Sequence, residues 1–195
     1  MTERPRAGTT VPIPLLALFG LFLATIVYLV ASSLTRRTAP VFAPSAADRV
    51  RRGGWEKSGD TLTVDATDGE RWQLVSLTRG RVVLPPDSAG WELAVERYRV
   101  IASDAIADLG AIPFDSAQVG TSSSFQRTTV SGGERENPAI KHWYRYNLLT
   151  HLLEPNGHVY AIRTREGKLW KLAVVSYYCP RLTAGCLTFR YAPLL

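Results

Sequence analysis

Methionine occurs once in this 195-residue chain, cysteine twice and histidine three times, and these scarcities exclude several kinds of site. A structural zinc cage would consume nearly every Cys and His, at spacings that match no finger pattern, so no metal site is expected. Clustered positive charge is also scarce. The net charge is +6, but Arg4, Arg6, Arg36 and Arg37 against Glu3 leave only about +3 on the remaining 158 residues. Past Arg49, Arg51 and Arg52 the basic residues are scattered singly among strand-like runs, which is not the footprint of a nucleic-acid binder. No serine sits in a nucleophile elbow, no glycine-rich phosphate loop follows a strand, and no carboxylate pair brackets a cleft; an enzyme is not expected.

Residues 11–34, VPIPLLALFGLFLATIVYLVASSL, hold no charged side chain across 24 positions. As a helix this segment reaches about 36 Å, enough for a bilayer core of about 30 Å. It lacks the polar face of a helix packed on a soluble core. Pro12 and Pro14 suit a first helical turn, and Tyr28 suits an interface. The rival reading, a cleaved signal peptide, calls for a shorter apolar region ending at a small-residue cleavage site. Gly20 and Ala24 stand at small-x-x-x-small spacing, with Ala17 and Ala31 farther along, so another helix could approach closely.

Arginines flank both ends of this span, and counting basic residues alone would place the C-terminal part inside the cell. Cys179 and Cys186 argue otherwise. They lie between two strand-like runs, where a hairpin sets them opposite each other, and a disulfide there belongs to an oxidising compartment such as the periplasm. Two buried free thiols are the alternative.

Residues 35–54 carry Pro40, Pro44, Gly53 and Gly54 without apolar period and read as a linker holding a domain off the membrane surface. The leader is 1–10 and the folded domain 55–195. Strands are expected at 61–65, 71–77 and 80–84, set apart by D-G and R-G turns. Residues 91–101 read as a helix as far as Tyr98 or as a strand, the strand being favoured by Tyr98, Val100 and Ile101. Residues 102–140 read as loops, with one helical turn within 103–110 and one weak strand at 125–130. From His142 onward, period-two runs alternate with P-N-G, R-E-G and T-A-G turns, which predicts four successive antiparallel strands. The fold class is therefore mostly β: one N-terminal transmembrane helix followed by an antiparallel sandwich or curled meander. Trp143, Tyr144, Tyr146, Tyr160, Trp170, Tyr177, Tyr178, Phe189 and Tyr191 are expected chiefly in its core.

The runs TLTVDATDGERWQLVSLTRGRVV, WELAVERYRV and VYAIRTREGKLWKLAVVSYY, with CLTFRYAP near the end, resemble the HmuY-type haem-binding proteins of bacterial envelopes over residues 60–195. The resemblance implies an all-β domain outside the cytoplasm, and hence a cytoplasmic N-terminus with a periplasmic C-terminal domain on the inner membrane. Two departures bear on function. Such proteins are typically lipoproteins, whereas no Cys ends this apolar segment, so a helix replaces the lipid. The archetype also ligates iron through two side chains, one in the loop before the strand opened by Trp143 and one shortly after it. Here residues 114–140 contain no His or Met, the fifth residue after Trp143 is Leu148, and the nearest imidazole is His151.

These departures favour a non-catalytic accessory subunit without a cofactor. Its span would pack on integral membrane subunits of a larger photosynthetic or respiratory complex, such as a reaction-centre assembly, and its β domain on their periplasmic face. The alternative is a membrane-tethered haem or tetrapyrrole binder using His142 or His151.

Overall fold

A computed structural model describes residues 12–34, 39–46, 59–84 and 90–194. The chain divides into two units, Met1–Thr38 and Ala39–Leu195. The leader 1–10, Val11, and positions 47–58 of the expected linker and domain start lie outside the described residues.

The first unit contains α1 (Ile13–Leu34), 22 residues long. It starts on Pro12, whose carbonyl accepts the Leu15 N–H at 2.9 Å. Pro14 needs no such bond in a first turn. Thr25 and Ser32 donate their hydroxyls back to the Leu21 and Leu29 carbonyls at 2.9 and 3.0 Å. These two hydroxyls are thus satisfied within the helix itself. Mean hydropathy over Ile13–Ser32 is 2.5, and none of that window is buried. At 100° per residue, Ala17, Gly20, Ala24 and Ala31 fall within about 60° of one another on the helix surface.

The second unit is a mostly β domain. Six strands, β1 (Asp60–Asp65), β14 (Ala184–Pro193), β13 (Leu169–Tyr178), β12 (Val159–Arg163), β6 (Ala105–Asp108) and β7 (Gln126–Arg127), form one sheet in that order. Every pairing in it is antiparallel. A second sheet runs β3 (Arg81–Val83), β2 (Gln73–Ser76), β4 (Leu93–Glu96), β5 (Arg99–Ala102). Two hairpins complete the domain: β8 (Thr129–Ser131) with β9 (Glu134–Glu136), and β10 (Tyr144–Asn147) with β11 (Leu152–Pro155).

Leu62, Val75, Leu93, Ile106, Ile162, Leu172 and Phe189 from the two larger sheets are buried in one core, the antiparallel sandwich that the alternating patterns predict. Gly80 closes the β2–β3 turn at φ +65°, and a Cβ there would sit 2.6 Å from the Tyr191 hydroxyl oxygen. Cys179 and Cys186 are disulfide-bonded across the turn between β13 and β14, with Cα atoms 4.9 Å apart.

Five features differ from the sequence reading, the first being the β8–β9 hairpin, which turns on Gly132 and Gly133 where loops and one weak strand were expected. Residues 91–101 are neither one helix nor one strand: the chain reverses at Arg97, φ 50°, and β4 pairs back on β5. Ala105–Asp108 is a strand between β12 and β7 rather than a helical turn, because burial of Ala105, Ile106 and Ala107 outweighs the helical leaning of alanine. Five strands rather than four follow His142, because residues 148–151 turn between β10 and β11 without glycine. Finally, part of the expected linker belongs to the domain. Phe42 N–H donates to the Tyr178 carbonyl at 3.0 Å, Ser45 and Thr63 exchange two hydrogen bonds, and the Ser176 hydroxyl donates to the Pro40 carbonyl. Residues 39–46 form a strap on the sheet, since backbone lying against it must satisfy its own polar groups.

Candidate functional site

The site grows from Asn137, which is wholly buried in an otherwise polar stretch. Its side-chain amide donates to the Gln126 carbonyl at 2.8 Å, its Oδ1 accepts the Ala139 N–H at 3.1 Å, and its backbone carbonyl accepts the Lys141 N–H at 3.0 Å. These bonds wind residues 138–143 into consecutive turns that present Lys141 and His142 outward. Asn156 fixes the far end: its side-chain amide donates to the His142 carbonyl at 2.9 Å, and its N–H donates to the Trp143 carbonyl at 2.8 Å.

Trp143 follows, fully buried, with its indole N–H donated to the Tyr98 carbonyl at 2.7 Å. This bond ties the turn to the β4–β5 reversal. A line of rings runs through it: Tyr98 to Tyr144 (5.8 Å), Tyr144 to Trp143 (5.1 Å), Trp143 to Tyr177 (6.0 Å) and Tyr177 to Tyr178 (5.6 Å). Bulges in β13 near Ser176 let Ser176, Tyr177 and Tyr178 all face inward, which strict alternation forbids. Burial pushes the Tyr144 and Tyr177 hydroxyls above the usual tyrosine pKa, although the Arg97 hydrogen bond pulls Tyr177 back in part.

Tyr98, Tyr144, His142 and Lys141, with Arg99, Glu134 and Glu136, line a cavity of about 210 Å³. Arg99 bridges Glu96 at 2.9 Å and Glu134 at 2.6 Å, and Lys141 meets Glu136 at 3.4 Å. The Glu134 hydrogen bond raises the Arg99 pKa against the opposing effect of burial. Arg99 Nε is buried without a hydrogen-bond partner.

The two histidines expected at a cofactor site are not brought together. His142 stands at the base of the β10–β11 hairpin and His151 in its terminal turn, with strand Tyr144–Asn147 between them. The Tyr146 hydroxyl lies 2.5 Å from His151 Nδ1. His158 pairs instead with Asp108 at 2.9 Å. His142 lines the cavity described above and His151 does not. Toward haem the cavity offers the His142 imidazole and two tyrosine rings, while its two cations, Lys141 and Arg99, are already paired with glutamates. At about 210 Å³ the cavity would enclose only an edge of a macrocycle, because enclosed drug-sized ligands need roughly 300 Å³ or more.

Sequence reasoning named His142, Trp143 and Tyr144 but missed Lys141, Arg99 and the convergence of these groups, which depends on Asn137 and on the Arg97 reversal. The rest of the aromatic set is core, except the half-buried Tyr144 and the exposed Tyr146.

No family model and no curated protein matches the chain. Solved structures do. The Tannerella forsythia apo HmuY analogue aligns with TM-score 0.62 at 15% identity, covering 70% of this chain and 96% of that one. A Bacteroides vulgatus protein described as HmuY-like and haem-binding gives 0.57 at 18%, covering 69% and 91%. A Bacteroides fragilis protein described as a lipoprotein gives 0.54 at 19%, covering 69% and 89%. The chain therefore has the HmuY-like fold. None of these descriptions concerns a photosynthetic or respiratory complex, and the expected reaction-centre association finds no support in them.

Proposed function

We propose that the chain is a membrane-anchored, non-catalytic haem-binding protein, with its β domain outside the cytoplasm. The observation that carries this reading is the placement of His142 on an aromatic-walled cavity within a fold shared with HmuY-like haem-binding proteins. The disulfide supports an oxidising compartment, and α1 supplies the anchor that a lipid supplies elsewhere. His142 would provide a protein ligand to the iron, and Tyr98 and Tyr144 the apolar wall. Absorption of the full-length chain purified in mild detergent from haem-replete cells tests the reading. A Soret band on the isolated chain supports it; a colourless chain that also fails to take up added hemin contradicts it.

A second reading rests on the clustering of Ala17, Gly20, Ala24 and Ala31 on one face of α1. In that reading the face packs on another membrane helix as part of a larger assembly. Its test is copurification of other membrane proteins in fixed ratio with the full chain.

A further inference from the structure

Three arginines from two distant parts of the sequence converge on residues 103 and 104. Arg163 of β12 and Arg127 of β7 both pair in register with Ala105 of β6, so their side chains rise from one face of the sheet on either side of it. Both turn onto Asp104: Arg163 Nε donates to Oδ2 at 2.6 Å and Arg127 Nε to Oδ1 at 3.2 Å. Arg165, two residues beyond Arg163, donates its Nε to the Ser103 carbonyl at 3.1 Å. Two rings complete the arrangement. The Arg163 guanidinium lies over Phe125, 4.7 Å from the ring centroid, and that of Arg165 over Trp91 at 5.4 Å.

Each guanidinium is thus tethered through Nε, and among the described residues none of the three makes a further hydrogen bond or ion pair through Nη1 or Nη2. Charge is left over as well. Counting Lys168 and Glu166 from the turn that carries Arg165, four bases stand against two acids, and Glu166 is itself hydrogen-bonded to Thr164. The Arg163 hydrogen bond holds Asp104 below the usual carboxylate range, against the opposing effect of burial, so this anchor stays ionised. Stability alone does not call for a second arginine on Asp104, because an ion pair as exposed as that of Arg127 contributes little. Tethered forks with open donor edges suit an oxyanion that accepts parallel N–H bonds from more than one guanidinium. A carboxylate brings two oxygens and one charge. A phosphate monoester brings three oxygens and nearly two charges, which matches the surplus here.

We infer that Arg127, Arg163 and Arg165 form a binding site for a phosphate monoester group, with Asp104, Phe125 and Trp91 holding the three forks in place. The site shares no residue with the His142 cavity and does not depend on haem binding. To test it, the full chain in neutral detergent and chloride buffer is titrated by calorimetry with inorganic phosphate and with glucose 1-phosphate. Saturable binding of inorganic phosphate at least as tight as that of the ester supports a site for the anion itself, and tighter binding of the ester supports a site for sugar-borne phosphate. Arg163→Lys keeps the charge but removes the fork, and is expected to weaken binding by roughly tenfold or more. Arg127→Lys, at a side chain 77% exposed, gives the same comparison should Arg163→Lys disturb the sheet. Arg71→Lys, on an exposed arginine paired only with Asp68, is expected to leave binding unchanged. No saturable binding of either probe overturns the inference. So does binding that both Arg163→Lys and Arg127→Lys leave intact, since it would reflect positive charge alone.

Discussion

The hydroxyl of Tyr178 accepts the Leu153 N–H at 2.7 Å and fastens the β10–β11 hairpin to the end of β13. Removing that hydroxyl in Tyr178→Phe leaves the Leu153 N–H without its acceptor at a cost of about 1–2 kcal/mol. Amide exchange across residues 148–153 is expected to accelerate while exchange in β12 and β14 stays unchanged. Uniform acceleration throughout the domain would show that Tyr178 acts on the whole core instead.

The Cys179–Cys186 bond closes a loop of eight residues. On the chain-entropy account that closure is worth about 2.5 kcal/mol, through fewer conformations of the unfolded chain. The double variant Cys179→Ser, Cys186→Ser should therefore lower unfolding stability in denaturant titration by at least that amount, since Cys186 is also fully buried. An unchanged midpoint would contradict it.

Burial pushes the Tyr160 hydroxyl up to about 12, against the opposing effect of the Asn156 hydrogen bond. An unfolded tyrosine ionises near pH 10. The neutral hydroxyl is thus favoured by the folded state, and its contribution is fully present below about pH 10 and is lost as pH rises from there toward the folded value. The raised Tyr144 and Tyr177 hydroxyls act in the same sense. The melting temperature is expected to fall between about pH 10 and 12, and less steeply in Tyr160→Phe. Identical slopes for the two proteins would assign the alkaline loss to other groups.

Most strands were legible because their turns carry a chemical signature. The D-G and R-G turns bound β1 to β3, and P-N-G and R-E-G bound β12; the disulfide spacing likewise followed from a hairpin. The β8–β9 hairpin carries one too, turning on Gly132 and Gly133 at positive φ, yet its polar stretch reads as loop; the other elements that escaped reading lacked such a signature. The chain reverses at Arg97 with positive φ in a non-glycine residue, and the 148–151 turn is encoded by little more than the Asn147 cap within an apolar run. Ala105–Asp108 has a helix-tolerant composition and becomes a strand only because two neighbours pair with it. The cavity assembles β5, β9 and the 138–143 turn through contacts distant in sequence, so His142 could be named as a candidate but not placed among its neighbours.

Hemin titration of the full chain in mild detergent, followed in the Soret region, tests the central claim most directly. The account predicts a saturable band that His142→Ala abolishes and His151→Ala leaves in place, because only His142 lines the cavity. No saturable band on the unaltered chain, or a band that His142→Ala leaves intact, would contradict it.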